Sequence, residues 1–151
     1  ATDTLIQLIR NARTSVLIQS PYLVTTEASQ KLFKEAVSRG VCVKILTNSL
    51  ASTDNLEAFN GYVREREELL QAGVKIYEFK PDAAIRYEVM TGALQKEIGY
   101  QPIFGLHAKS MVIDDKIAVI GTFNLDPRSA NLNTECVTII RNDKVAEDLA
   151  K

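Results

Sequence analysis

Apolar residues recur along this chain with two periods. In TDTLIQLIRNA (residues 2–12) they fall at Leu5, Ile6, Leu8 and Ile9, a helical spacing that predicts a short amphipathic helix. SVLIQS (15–20) is a short apolar run that stops at Pro21 and predicts a buried strand. TTEASQKLFKEAVSRG (25–40) returns to helical spacing, with a threonine able to cap its start and Gly40 to stop it. VCVKILT (41–47) is β-branched and reads as a strand, and NSLASTDN (48–55) as a polar turn. A longer helix is predicted over 54–72, closed by Gly73, and an alternating strand over 74–79. This αβαβαβ order predicts an α/β fold with a mixed, mainly parallel sheet and helices on both faces.

Residues 80–106 break the pattern with Pro81, Gly92, Gly99, Pro102 and Gly105 and little periodicity. A loop this long inside a compact domain is often functional, and it reads as a segment covering a substrate or docking a missing half. LHAKSMVID and KIAVIG then read as two strands joined by a tight turn at Asp114–Asp115. ECVTIIR is a last strand, begun by Glu135, and DKVAEDLAK a last helix. With no internal repeat or linker, residues 1–151 read as a single domain.

Composition adds limits. A chain of 151 residues, 46% hydrophobic and 25% charged, can bury a real core. The formal charge of −1 supplies no general basic field, which makes nucleic acid an unfavoured partner. No apolar run reaches the length needed to span a bilayer, and no signal-peptide pattern opens the sequence. Cys42 and Cys136 each sit in an apolar run and read as buried, reduced thiols. Two cysteines and a lone histidine, far apart, do not make a recognisable metal site, so no metal or cofactor is expected.

The candidate chemistry lies in HAKSMVIDDKIAVIGTFN (107–124), which opens on the only histidine of the chain. On a strand, His107 and Lys109 would point the same way. Gly121 permits a turn that a side chain would obstruct, and Thr122 and Asn124 follow it. An imidazole, an ammonium, a hydroxyl and an amide that converge suit a phosphate group. The imidazole can attack or transfer protons near neutral pH, and a carboxylate on one ring nitrogen would fix its tautomer. The full spacing is H-x-K-x4-D-x6-G-[S/T]-x-N, filled by His107, Lys109, Asp114, Gly121, Thr122 and Asn124. At average residue usage a chance match is rarer than about one in 10^5.

That pattern resembles the HKD motif of the phospholipase D superfamily. The following GTFNLDPRSANLNTE resembles the bacterial cardiolipin synthase version, through Asn124, Leu125, Asp126, Arg128, Ser129, Asn133 and Glu135. Upstream, SPYLVT and KILTNSLASTD resemble segments of cardiolipin synthases of the C type, in the same order. The resemblance implies a phospholipase D-like α/β/α sandwich and a metal-independent reaction on phosphodiesters through a phosphohistidine. It implies that His107 is nucleophile or general acid, that Lys109 and Asn124 hold phosphate, and that Glu135 orients an active-site histidine. Thr122, Arg128 and Ser129 are implied substrate contacts, Arg128 with the alternative of pairing with Asp126 or Glu135. Asp114, at a strand turn, is expected to be structural, and Tyr22 to line the pocket or to pack as an ordinary aromatic.

Members of this superfamily bring two such motifs together, and this chain holds one. It resembles the C-terminal half of a cardiolipin synthase, so the expected partners are a phospholipid substrate and a second HKD half. Its expected place is the cytoplasmic side, in peripheral contact with the inner membrane. The start at Ala1 and the L-D-x-R-S segment favour a fragment. The alternatives are a single-motif endonuclease that dimerises and a non-catalytic interaction domain that kept the fold.

Overall fold

The computed structural model describes residues 2–82 and 105–151. The expectations for the long irregular stretch therefore fall almost wholly outside the described residues. Along the chain run α1 (Thr2–Asn11), β1 (Ser15–Gln19), α2 (Glu27–Ser38), β2 (Cys42–Asn48), α3 (Leu56–Gln71) and β3 (Lys75–Phe79). After the undescribed residues come β4 (Ser110–Ile113), β5 (Ile117–Gly121), α4 (Pro127–Asn131), β6 (Val137–Arg141) and α5 (Asp143–Ala150).

Among the described residues the strands form one six-stranded sheet in the order β3-β2-β1-β4-β5-β6. It is mixed, as expected, but its balance differs from the expectation. The β1–β2 and β2–β3 pairings are parallel, whereas β1–β4, β4–β5 and β5–β6 are antiparallel. The αβαβαβ order dictates parallel pairing only for the first three strands. The later strands enter beside β1 and fold back as a meander, for which no crossover helix is needed.

Period-two alternation sorts the core into two layers. Val16, Ile18, Val43, Ile45, Met111, Ile113 and Val119 join one cluster with Leu5 and Ile9 of α1, Phe33 of α2 and Leu69 of α3. Val112 and Ala118 face the other way, against Ala146 of α5, with Leu17, Ile140 and Leu149 around them. Helices thus cover both faces, and the α/β/α arrangement stands. Helix starts are capped as the sequence allows. Thr26 takes the N–H of Ser29 and Ser29 answers the N–H of Thr26, while Asn55 and Asn142 cap α3 and α5. Gly40 and Gly73 follow α2 and α3 at φ 88° and 89°, the left-handed exit that glycine favours.

The tight turn also forms where expected, with Asp114 and Asp115 at φ 54° and 53°. Asp114 is structural. Its carboxylate accepts the backbone N–H groups of Arg13, Thr14 and Ser15 and the hydroxyl of Thr14, at 2.7–3.1 Å. It pins the entry of β1 to the β4–β5 turn. Burial pushes this carboxyl up, but the N–H groups of Ser15, Thr14 and Arg13 outweigh it and hold it below its ordinary value. A depressed folded value stabilises above the unfolded value, near pH 4, and the gain is lost as the pH falls through the folded value. Asp114→Ala is expected to cost about 2–3 kcal/mol at neutral pH, and less in acid, by urea unfolding at both.

The thiol expectation needs correction. Both cysteines are free, but Cys42 is half-buried and Cys136 exposed. Cys136 precedes β6, the edge strand of the sheet among the described residues.

Candidate active site

His107 and Lys109 do not lie on a strand. Strand β4 begins at Ser110, so the two residues form the extended approach to it. They meet nevertheless, with Lys109 Nζ 3.3 Å from His107 Nε2 and 3.0 Å from the His107 carbonyl. An ammonium has only protons to give, so in this arrangement Nε2 accepts and the ring proton sits on Nδ1. The imidazole is exposed and Lys109 half-buried. Burial lowers the Lys109 ammonium from its ordinary value, against the opposing pull of Glu135, Asp54 and Asp126.

The approach to His107 is held by a residue from the parallel half of the sheet. Asn48, at the end of β2 and buried, accepts the Leu106 N–H at 2.8 Å and donates to the Leu106 carbonyl at 3.0 Å. It also donates to the Pro21 carbonyl, and takes the hydroxyl of Ser52. Gly105 lies close against this loop, since a Cβ there would stand 2.5 Å from the Ser52 carbonyl. Asn48→Ala is expected to cost about 2 kcal/mol in thermal unfolding, because Leu106 and Pro21 lose buried partners.

The second group of predicted residues gathers at the ends of β5 and β6. Gly121 is required by close approach: an added Cβ would stand 2.2 Å from the Cys136 carbonyl and 2.8 Å from Val137 Cα. Thr122 donates its hydroxyl proton to Glu135 and accepts the Cys136 N–H at 3.0 Å. Glu135 stands two residues before β6 rather than at its start, and Asn133 donates to its second oxygen at 3.2 Å. The Thr122 hydroxyl, against opposing burial and with Ser129, Asn133 and Lys109 assisting, holds the Glu135 carboxyl below its ordinary value. Glu135 is therefore a carboxylate through the neutral range. Among the described residues no hydrogen bond joins it to His107.

Asn124 lies in the turn after β5, and its Oδ1 is buried with no partner among the described residues. The short helix α4, which periodicity does not reveal, positions this turn. Asp126 caps it by accepting the Ser129 N–H at 2.7 Å, and Pro127 occupies its first turn. Ser129 is buried, and its hydroxyl accepts the Asn124 N–H at 3.3 Å. The hydroxyls expected on substrate, Thr122 and Ser129, thus have partners inside the protein. Arg128 is exposed, and the pairing with Asp126 or Glu135 does not form. Among the described residues the ion pairs are Arg66–Glu78 and Lys151–Asp148.

Two residues beyond the motif complete the rim. Tyr22 donates to Asp54 at 2.9 Å, and burial together with Asp54 and Asp126 pushes its phenol up to about 12. Tyr22 is half-buried, and its partner Asp54 acts on the Lys109 ammonium through its charge. The loop before it is tied to the Asn124 turn, because Ser20 accepts the Leu125 N–H and Val24 donates to the Leu125 carbonyl. Among the described residues no group of three or more His, Cys, Asp or Glu side chains could hold a metal ion.

A six-stranded mixed sheet with helices on both faces, carrying a histidine–lysine pair beside an asparagine turn, is a phospholipase D-like domain. Comparison with known families matches residues 5–151 to the one described as cardiolipin synthase, PLD-like domain, and the chain belongs to that family. It is 39% identical over 134 residues to cardiolipin synthase C of Escherichia coli, covering 89% of this chain and 28% of that protein. An uncharacterized protein of Helicobacter pylori is 35% identical over 139 residues, covering 92% of this chain and 26% of that protein. The chain thus spans about a quarter of the length of the curated relatives it matches. Among solved structures, the phospholipase D family member Nuc of Salmonella typhimurium shares the fold. Its TM-score is 0.68 at 20% identity, covering 99% of this chain and 82% of that one.

Proposed function

We propose that this chain supplies one of two half-sites of a phosphatidyltransferase or phosphodiesterase acting on phospholipids. The observation that carries the reading is the contact between Lys109 and His107 Nε2, on the chain next to the turn of Asn124, whose buried Oδ1 has no partner among the described residues. Phosphate in front of this group meets an ammonium and an amide that have donors to offer. The amide of Asn124 meets a phosphoryl oxygen through its Nδ2 hydrogens, since the amide oxygen has no proton to give.

The reaction needs two imidazoles. One attacks phosphorus through Nε2, forming an N–P bond as the P–O bond to the leaving alcohol breaks. The other, protonated, gives its proton to that alcohol. An incoming alcohol or water then gives its proton to the second imidazole and displaces the first from phosphorus. His107 is one of these two; the facing half contributes the other. Lys109 and Asn124 hold the phosphoryl oxygens. Glu135, fixed by Thr122 and Asn133, has its carboxylate available to orient the facing histidine. Thr122 and Ser129 position Glu135 and Asn124, and Arg128, exposed and outside the ion pairs of the described residues, meets a lipid phosphate.

Peripheral contact with the cytoplasmic face of the inner membrane fits this reading. No helix among the described residues is long and apolar enough to cross a membrane. Leu50, Leu56 and Leu132 are 61%, 63% and 80% exposed, on segments next to Ser52, Asp54 and Asn133. Cardiolipin synthase C, the name of the Escherichia coli relative, makes cardiolipin formation the first reaction to test. Thin-layer analysis of lipids made by the two-half protein should show cardiolipin with the native sequence and none with His107→Ala. Equal cardiolipin from both would refute the assignment of His107.

A second reading is favoured by one observation, the 82% coverage of Nuc, a chain little longer than this one. A symmetric dimer would bring two copies of His107 into one site. Sedimentation over a concentration series separates the two. A monomer is expected, with no turnover of a soluble phosphodiester; a dimer that cleaves DNA establishes the second reading instead.

A further inference from the structure

A cavity of about 310 Å³ opens on the sheet face covered by α1 and α2. Ile6 and Ile9 of α1, Phe33 of α2, Met111 of β4, and Phe123 and Leu125 of the Asn124 turn line it. Lys109, Gly121 and Asp126 line it as well, so the lysine that contacts His107 stands at its border. The apolar wall and the phosphate-facing group are therefore one continuous surface. The lining is mainly apolar, with Gln19, Thr26 and Ser110 contributing polar atoms, and a mainly apolar surface favours hydrocarbon over ordered water.

We propose that this cavity is the binding slot for one acyl chain of the phospholipid whose phosphodiester meets His107 and Lys109. The inference rests on the half-site reading above, and it adds where the substrate's apolar part goes. Size selects the occupant. Ligand pockets run from roughly 300 to 1,000 Å³, and a volume at the lower end takes a single chain rather than a whole diacyl lipid. Shape agrees, because the slot lies between two helices and the sheet, with Ala130 and Asn131 of α4 on its wall. The occupant is held mainly by burial of its hydrocarbon, so the slot reads chain length more than head group. Discrimination among head groups then falls to the polar rim, where the charges of Asp54 and Asp126 act on the lysine and Tyr22 is bonded to Asp54.

The test uses this chain and lysophosphatidylglycerols with hexanoyl, octanoyl, decanoyl and dodecanoyl chains, below their micelle concentrations, by titration calorimetry. Affinity is expected to rise about fourfold per added methylene until the slot is full, then to level off. Ala130→Phe, which places a ring in the slot, should flatten that dependence. Lys109→Ala should weaken all the lipids by a similar factor and leave the dependence on length intact. A length dependence unchanged in Ala130→Phe overturns the slot. A length dependence lost in Ala130→Phe, with Lys109→Ala binding like the native chain, keeps the slot and overturns the phosphate role of Lys109. Circular dichroism checks folding. A dodecanoyl probe carrying a diazirine on its terminal carbon gives a readout that needs no substitution. Label on peptides holding Ile6 or Met111 is the expected result, and label confined to other peptides overturns the slot, as it would if another protein segment filled the cavity.

Discussion

His107→Ala in the protein that carries both halves is expected to lower turnover by about 10^4-fold, with little change in stability. The small stability effect follows from the structure. The imidazole is exposed, and among the described residues its ring is hydrogen-bonded to the Lys109 ammonium. The backbone around it is held by others, since Asn48 fixes Leu106 and the Lys109 carbonyl accepts the Gly121 N–H at 3.1 Å. The large kinetic effect follows from the chemistry. Either role open to His107, attack on phosphorus or protonation of the leaving alcohol, has no substitute, because this chain contains no other histidine and the facing one already fills the second role. Rapid kinetics with a labelled lipid, beside a thermal melt of the same variant, checks both halves of the expectation. A loss of turnover matched by a loss of folded protein would show a structural histidine instead.

Gly121→Ala is expected to destabilise the fold by about 3 kcal/mol and to abolish activity in whatever folds. The added methyl would meet the Cys136 carbonyl at 2.2 Å and Val137 at 2.8 Å, and both obstacles are backbone. Relief requires β5 and β6 to part at the point where they present Thr122 and Glu135. The hydrogen bonds of Thr122 to Glu135 and from Cys136 would open together. Urea unfolding measures the first effect, and lipid turnover of the folded fraction the second. Native stability and native turnover in this variant would mean that the close approach of the two strands carries no weight.

These two residues also show how legible the site is in sequence. His107, Lys109, Gly121, Asn124 and Glu135 all lie within one short span, and their spacing alone selects the family. Their local geometry follows from a strand, a tight turn and a returning strand. The parts that spacing does not reveal are held by distant residues. Asn48 reaches Leu106 across the sheet, and Asp54 reaches Tyr22 from the loop after β2. Both are short polar residues in a turn-forming stretch, and nothing local marks which of them faces the site. The balance of the sheet escaped for a similar reason. Periodicity finds β4, β5 and β6, but their direction beside β1 is fixed only by tertiary pairing. Helix α4 spans five residues, too few for a hydrophobic period, and is signalled only by its Asp126 cap and Pro127.

The half-site account is tested most directly by trapping the reaction intermediate. A single turnover of the two-half protein with phosphatidylglycerol labelled in its phosphate, quenched in base, preserves a bond between histidine and phosphorus for mass spectrometry. The account predicts label on one histidine only, either His107 or the one that faces it, and none when that histidine is replaced. Rapid turnover with no labelled histidine, or with label on another residue type, would contradict it.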